Sequence, residues 1–371
     1  MGAHSKDIVA GLLSMAGIEL NGDRPFDPRI HNEALYDRVL ARGTLGLGEA
    51  YMDAWWDCDA LDELACRLMR ADIFDHVRLD FPTLLEIARS RLLNLPRLKA
   101  GEVGERHYDI GNELYEAMLD KRMIYSCGYW PGAGSLDQAQ EQKLDLICRK
   151  IGLTEGQHIL DIGSGWGGLM MYAAETYGAS ATGVTISRRQ AGFANARRGN
   201  LPVETLLQDY QTLDGRFDHI VSVGMFEHVG YKNYRRFLQK AASLLAEDGL
   251  FVLHTIGGNR TVTHGDPWMN RYIFPNGMVP SLAQIAAAAQ DVFVIEDVHN
   301  IGAGYDPTLM AWHENFVAAW PTLASRYGER FHRMWRYYLM LMAGAFRSRR
   351  LEVWQIVMSK NGVPGGYRSV R

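Results

Sequence analysis

The stretch Ile159–Gly168, ILDIGSGWGG, runs an apolar segment and an acid straight into a glycine loop. Gly163, Gly165 and Gly168 satisfy the spacing G-x-G-x-x-G, the signature of a strand that turns tightly into a helix. Strands and helices alternate outward from it, with strands expected at 158–162, 180–185, 204–208, 219–223, 250–254 and 293–298. Such alternation predicts an α/β fold with a parallel, doubly wound sheet. Ligands of these sheets bind beyond the carboxyl ends of the strands. That rule gathers the glycine loop, GVTIS (183–187), LQDY (207–210), GMFEH (224–228) and LHTIG (253–257) on one edge. The segment 305–371 reads as helical and aromatic.

The first hundred residues carry apolar positions at helical spacing, broken by Gly43, Gly46 and Gly48. PTLLEIARSRLLNL (82–95) is amphipathic, with Arg89 and Arg91 flanking its apolar face. It reads first as a helix packed within its own domain, and second as a contact with a membrane surface. PRLKAGEVGER (96–106) has the composition of a linker. The expected organisation is a helical N-terminal domain over 1–95, a linker over 96–106 and a ligand-binding domain over 107–371.

The 371 residues are 47% hydrophobic and 22% charged, with a net charge of −4. That balance fits a globular protein with a sizeable core and argues against a dedicated nucleic-acid binder. The pairs Arg188/Arg189 and Arg197/Arg198 and the cluster Arg347/Arg349/Arg350 read as solvated helix faces. Cys58, Cys66, Cys127 and Cys148 form no C-x-x-C pair, so no metal site is expected. Few cysteines, no signal peptide and no apolar run approaching about 18 residues suggest a cytoplasmic protein without a membrane span.

A phosphate-cradling loop would continue Gly-Lys-Ser/Thr, whereas this one continues Gly168-Leu-Met. A dinucleotide site wants an acid at the end of the second strand, and that strand ends ATGVTIS. The acid is Asp161, inside the first strand, where a carboxylate suits a cationic ligand. S-adenosylmethionine carries an ammonium and a sulfonium. Apolar residues followed by Asp-x-Gly-x-Gly resemble the first motif of class I methyltransferases, whose Rossmann-like sheet matches the alternation above. Asp209, after the third strand, stands where such folds hold the adenine.

The chain further resembles the cyclopropane-fatty-acyl-phospholipid synthases and their mycolic acid cousins. The resemblance rests on GLGEAYMDAWW (46–56), HYDIGNELY (107–115), YSCGYW (125–130), LDIGSGWGG, GVTIS, LQDY, VSVGMFEHVG (221–230), FVLHTIG (251–257), YIFPNG (272–277), TLMAWHENF (308–316) and AGAFR (343–347), in order along the chain. It implies transfer of a methylene from S-adenosylmethionine across a cis double bond of a phospholipid acyl chain. The route is a carbocation, for which Tyr129, Trp130, Tyr272, Phe274 and Tyr305 offer aromatic faces. It implies a bound bicarbonate as base, held by Cys127, Glu227, His254, the Ile256 backbone and Tyr305. Glu227 would orient the anion, His254 and Tyr305 would donate to it, and Cys127 would be a weak polar contact rather than a nucleophile. For the cofactor it implies Tyr125, Ser126, Asp161, Gly163, Ser164, Gly165, Thr185, Ser187, Gln190, Gln208, Asp209 and Tyr210. It implies membrane phospholipid as partner, peripheral docking on the inner face of the membrane, and a homodimer. Met342 stands where relatives often carry cysteine, and reads as packing. Competing expectations are a methyl- or methylene-branched product from the same chemistry, an NAD-dependent oxidoreductase, and a non-catalytic relative.

Overall fold

The computed structural model describes residues 2–73 and 110–371. The expected helix over 82–95, the linker over 96–106 and the start of HYDIGNELY lie outside the described residues. The chain divides into two compact units, each built from several chain segments.

The larger unit holds a seven-stranded sheet. Its elements begin with helices α4 (Asn112–Met118) and α5 (Leu136–Lys150). There follow β3 (His158–Ile162), α6 (Gly168–Tyr177), β4 (Ser180–Thr185), α7 (Arg188–Arg197), β5 (Val203–Leu207), β6 (His219–Val223), α8 (Tyr234–Leu244), β7 (Leu250–Gly257), α10 (Leu282–Ala289), β8 (Val294–Asn300) and β9 (Glu352–Ser359). The strand order is β5-β4-β3-β6-β7-β9-β8, so the order reverses beside β3, where the glycine loop emerges. Alternate residues serve opposite faces: Ile159, Val252 and Val357 pack into one apolar cluster, Leu160, Leu253 and Ile356 into the other. Covering both faces with helices is why these strands are nearly uniformly apolar.

Local chemistry sets the helix boundaries. Ser135 and Ser187 accept from the backbone N–H groups of Gln138 and Gln190, capping α5 and α7. Ser281 and Gln284 form a reciprocal capping box on α10. Gly167 and Gly178 bracket α6 in left-handed conformations.

Three expected strands match their observed limits, β5 starts one residue early, β7 runs on to Gly257, and β8 spans Val294–Asn300. Two expectations are corrected. The sheet is not wholly parallel, because β9 pairs antiparallel with both β7 and β8. The segment 305–371 is not all helical, since β9 lies within it and is buried along its whole length.

The smaller unit comprises residues 2–73, 264–276 and 306–351. It contains α1 (Gly2–Met15), β1 (Arg29–Ile30), α2 (Ala34–Met52), β2 (Trp56–Asp57), α3 (Leu61–Arg70), α9 (Pro267–Tyr272), nearly all of α11 (Tyr305–Tyr327), and α12 (Glu329–Arg347). This division differs from the expected boundary near residue 95: two later segments join the N-terminal one. Of the three glycines expected to interrupt α2, only Gly43 leaves helical geometry. Gly48 instead makes room for Trp268, which would lie 2.3 Å from an added Cβ. Gly344 of α12 does the same for the Asp62 carbonyl at 2.5 Å. Trp56, Trp268 and Tyr337 are fully buried or nearly so and meet edge to face. Arg347 closes the unit, binding Asp62 at 2.6 Å and Asp306 at 2.9 Å. Met342 lies half-buried in α12.

Candidate active site

The glycine loop joins β3 to α6, and its backbone favours glycine at two positions. Gly163 has φ +87°, and an added Cβ would sit 2.6 Å from Met225 on the loop after β6. Gly165 has φ +54° with open space beside it. The N–H groups of Gly163 and Ser164 donate to the Val184 carbonyl at 3.0 and 3.1 Å, tying the loop to the end of β4. Gly183 in β4 leaves room for the Ser164 side chain, whose Oγ would be 2.5 Å from a Cβ there. The Ser164 hydroxyl is buried and has no partner among the described residues.

Asp161 is 3% exposed, and its Oδ1 is buried with no hydrogen-bond partner among the described residues. Burial pushes its carboxyl up to about 7, against the pull of the Lys143 charge. A buried carboxylate short of partners is a site that a cation would complete. Asp161, the unsatisfied Ser164 hydroxyl and the open space beside Gly165 together fit the amino-acid portion of S-adenosylmethionine.

The other residues expected around the cofactor follow at the ends of β4 and β5. Thr185 Oγ1 donates to Gln190 Oε1 at 2.9 Å and accepts from the Ser187 N–H at 3.2 Å. These side chains therefore hold one another and start α7. The Gln208 N–H donates to the Thr185 carbonyl at 3.0 Å, which brings LQDY beside GVTIS. Asp209 accepts from the Gln211 N–H at 2.9 Å in the turn after β5, and Tyr210 packs edge to face on Phe237. Tyr125 packs edge to face on Tyr115, and Ser126 is buried beside it.

Glu227 sits in a single helical turn directly after β6, 8% exposed. Its Oε1 accepts from the Ile256 N–H at 2.6 Å, while Oε2 is buried without a partner among the described residues. Burial raises this carboxyl to about 7, opposed by hydrogen bonds from backbone N–H groups. The Ile256 carbonyl accepts from Thr255 Oγ1 at 3.0 Å, so both backbone groups of Ile256 have protein partners.

His254, near the end of β7, is 2% exposed, and burial holds it far below its usual value, hence neutral. Its Nδ1 lies 3.3 Å from Gln355 Nε2 of β9, and accepting from that amide leaves Nε2 as the N–H donor. The Gly224 N–H donates to the His254 carbonyl at 2.9 Å, and Gly224 in turn faces Ser126. Cys127 is fully buried, its Sγ 3.3 Å from the Gly128 carbonyl and 3.7 Å from that of Ile301. Burial raises its thiol far above the usual range, so it stays protonated. Gly304 packs against Gly128, Trp130 and Cys127, and Tyr305 follows it. Cys127, Ser126, Glu227, His254, Ile256 and Tyr305 thus belong to one unit and one region of the sheet edge. Tyr272 and Phe274 belong to the other unit, where the Tyr272 hydroxyl donates to Glu49 at 3.0 Å.

Two participants were missed from the sequence. Gln355 sets the His254 tautomer from the strand that was read as helix. Lys143 is fully buried in α5 and donates to Ser126 Oγ at 2.7 Å.

The family described as mycolic acid cyclopropane synthetase matches residues 97–356. The chain is 51% identical over 361 residues to the cyclopropane-fatty-acyl-phospholipid synthase of Escherichia coli K12, covering 97% of this chain and 94% of that one. It is 32% identical to the tuberculostearic acid methyltransferase UfaA1 of Mycobacterium tuberculosis, over 91% of this chain and 85% of that one. Among solved structures, the mycolic acid cyclopropane synthase CmaA1 complexed with SAH and CTAB superposes with a TM-score of 0.65 at 30% identity. It covers 69% of this chain and 97% of that one.

Proposed function

The chain belongs to the mycolic acid cyclopropane synthetase family and is an S-adenosylmethionine-dependent methyltransferase, and from that premise we propose that it is a cyclopropane-fatty-acyl-phospholipid synthase. The observation that carries the reading is the 51% identity to such a synthase along nearly the whole of both chains. Bound S-adenosylmethionine supplies an electrophilic methyl group. Asp161 meets its ammonium, Ser164 and the glycine backbone lie against it, and Asp209 holds the adenine end.

An alkene that gains a methyl cation becomes a carbocation, and loss of a proton from the new methyl group closes the ring. The protein must exclude water during that interval and supply a base. A bound bicarbonate would supply that base, held by Glu227, His254 and Tyr305. Glu227, with one oxygen unpartnered and its affinity for protons raised by burial, can hydrogen-bond the anion in either protonation state. His254 donates from Nε2, and Tyr305 donates its hydroxyl. Ile256 contributes by fixing Glu227, since its own N–H is committed there. Cys127, held as a thiol, lines the site without attacking.

The substrate lies in a bilayer, so the enzyme works as a peripheral protein at the inner membrane face, and as a homodimer. No helix among the described residues is long and apolar enough to cross a membrane. Ile8 and Met15, 39% and 59% exposed on α1, supply apolar contacts for docking.

A second reading, a methyl- or methylene-branched product, is favoured by the similarity to a tuberculostearic acid methyltransferase. One experiment separates the two. The purified protein is incubated with vesicles of a cis-monounsaturated phospholipid, S-adenosylmethionine and bicarbonate, and the acyl methyl esters are analysed by gas chromatography and mass spectrometry. A gain of CH2 that resists mild hydrogenation is the cyclopropane. A gain of CH2 with a reducible double bond is the branched product, and no gain refutes both.

A further inference from the structure

Lys143 lies outside the set of residues read from the sequence. α5, capped at Ser135, carries it into the interior, where its side chain is fully buried. Lysines are almost never buried without a partner. Here Nζ donates to Ser126 Oγ at 2.7 Å, and one turn earlier Gln140 Nε2 donates to the Ser126 carbonyl at 2.8 Å. The same helix therefore grips both the side chain and the backbone of Ser126. A charged ammonium only donates, so Ser126 Oγ must accept, and its own hydrogen is left to point elsewhere. Burial lowers Lys143 to about 8, opposed first by the charge of Asp120 and then by that of Asp161, so it is mostly charged near neutrality.

We propose that Lys143 is a positioning residue for the methyl donor: from behind Ser126 it orients and polarises that hydroxyl as a hydrogen-bond donor to the carboxylate of the donor's amino-acid end. Asp161 takes the ammonium of the same end. Two buried groups of opposite charge then match the two charges of one zwitterion. This rests on the S-adenosylmethionine reading of the site, which supplies the carboxylate.

The test compares S-adenosylhomocysteine with its decarboxylated analogue by calorimetry on the wild type, Lys143→Met, Ser126→Ala and the double variant. A hydrogen bond to a charged group predicts that the wild type prefers the carboxylate-bearing ligand by about 10- to 100-fold. Each single variant shrinks that preference to within about threefold, and the double variant shrinks it no further. A merely structural lysine would weaken both ligands together and keep the ratio. A folded Lys143→Met with the wild-type ratio overturns the proposal. Ser126→Ala keeps the test decisive if the lysine variant does not fold, because a wild-type ratio in that variant overturns it equally. Failure of the wild type to bind S-adenosylhomocysteine at all would refute the donor site itself, and this inference with it.

Discussion

Donor binding should depend on pH through Asp161, with a size that the structure sets. The carboxyl is raised to about 7 because it is buried. The ligand's ammonium binds beside the ionised form, so binding in acid must first expel a proton. For a group titrating near 7, the affinity for S-adenosylhomocysteine falls about eightfold between pH 7.5 and pH 6. About 0.9 proton is released per ligand at pH 6, and roughly 0.2 at pH 7.5. Calorimetry in two buffers of different ionisation enthalpy reads both quantities. Glu227 is also raised to about 7, so the assay needs Asp161→Asn as control. That variant should bind more weakly at pH 7.5 and lose the pH dependence. It should also stabilise the ligand-free protein as pH rises. A carboxyl whose folded value lies above its unfolded value stabilises the fold below that unfolded value and loses this contribution as pH climbs toward the folded one. Between pH 6 and 8, with the unfolded chain already ionised, a group at about 7 removes about 1.4 kcal/mol, and asparagine should abolish that loss. A pH-independent affinity in the wild type, or an unchanged pH dependence in Asp161→Asn, would refute the assignment of Asp161 to the ligand's cation.

Glu227→Gln keeps the shape and removes the carboxylate, so turnover on vesicles should fall about 10²- to 10⁴-fold with S-adenosylhomocysteine affinity within a few-fold. Equal turnover would remove Glu227 from the reaction. Gly163→Ala puts a methyl 2.6 Å from Met225 at φ +87°, which at about 1–2 kcal/mol of conformational strain alone predicts a roughly tenfold or larger loss of affinity or an equivalent fall in Tm. Ile8→Glu with Met15→Glu should reduce turnover on vesicles several-fold and leave S-adenosylhomocysteine binding unchanged. Unchanged turnover would show that α1 does not dock.

The sheet was legible because its strands are short apolar runs punctuated by turns, and because Asp161 and the glycines permit only a strand-to-helix loop. β9 was not legible. EVWQIVMS is apolar on both faces, as befits a strand flanked by β7 and β8, and it lacks the alternation that separates strand from helix. Missing β9 meant missing Gln355 and with it the protonation pattern of His254. Lys143 was hidden for a different reason. In QKLDLICRK a lysine on an amphipathic helix reads as solvated, and only the fold brings Ser126, 17 positions away, within 2.7 Å. The family resemblance implies Thr185, Ser187 and Gln190 as cofactor contacts. The structure shows them also bonding one another, a capping role that the sequence Thr-Ile-Ser-x-x-Gln encodes equally well.

The composition of the smaller unit bears on how its role can be probed. Its N-terminal segment is not an appended module, because α12 packs against α2 and α3, and the close approach at Gly344 admits no side chain. Arg333 of α12 donates to the carbonyls of Tyr51 and Trp56 at 2.5 and 2.8 Å, and Arg347 bonds Asp62. Removing the first hundred residues would strip Tyr51 and Trp56 from Tyr337 of α12, leave Arg333 without the Tyr51 and Trp56 carbonyls and take Asp62 from Arg347. Exposing that face of α12 favours aggregation, and a truncated chain that lost activity would report on folding rather than on docking. The two exposed apolar residues of α1 avoid that ambiguity. Neither is part of the buried core, so a charge there alters what the surface can contact and leaves the three-segment core intact.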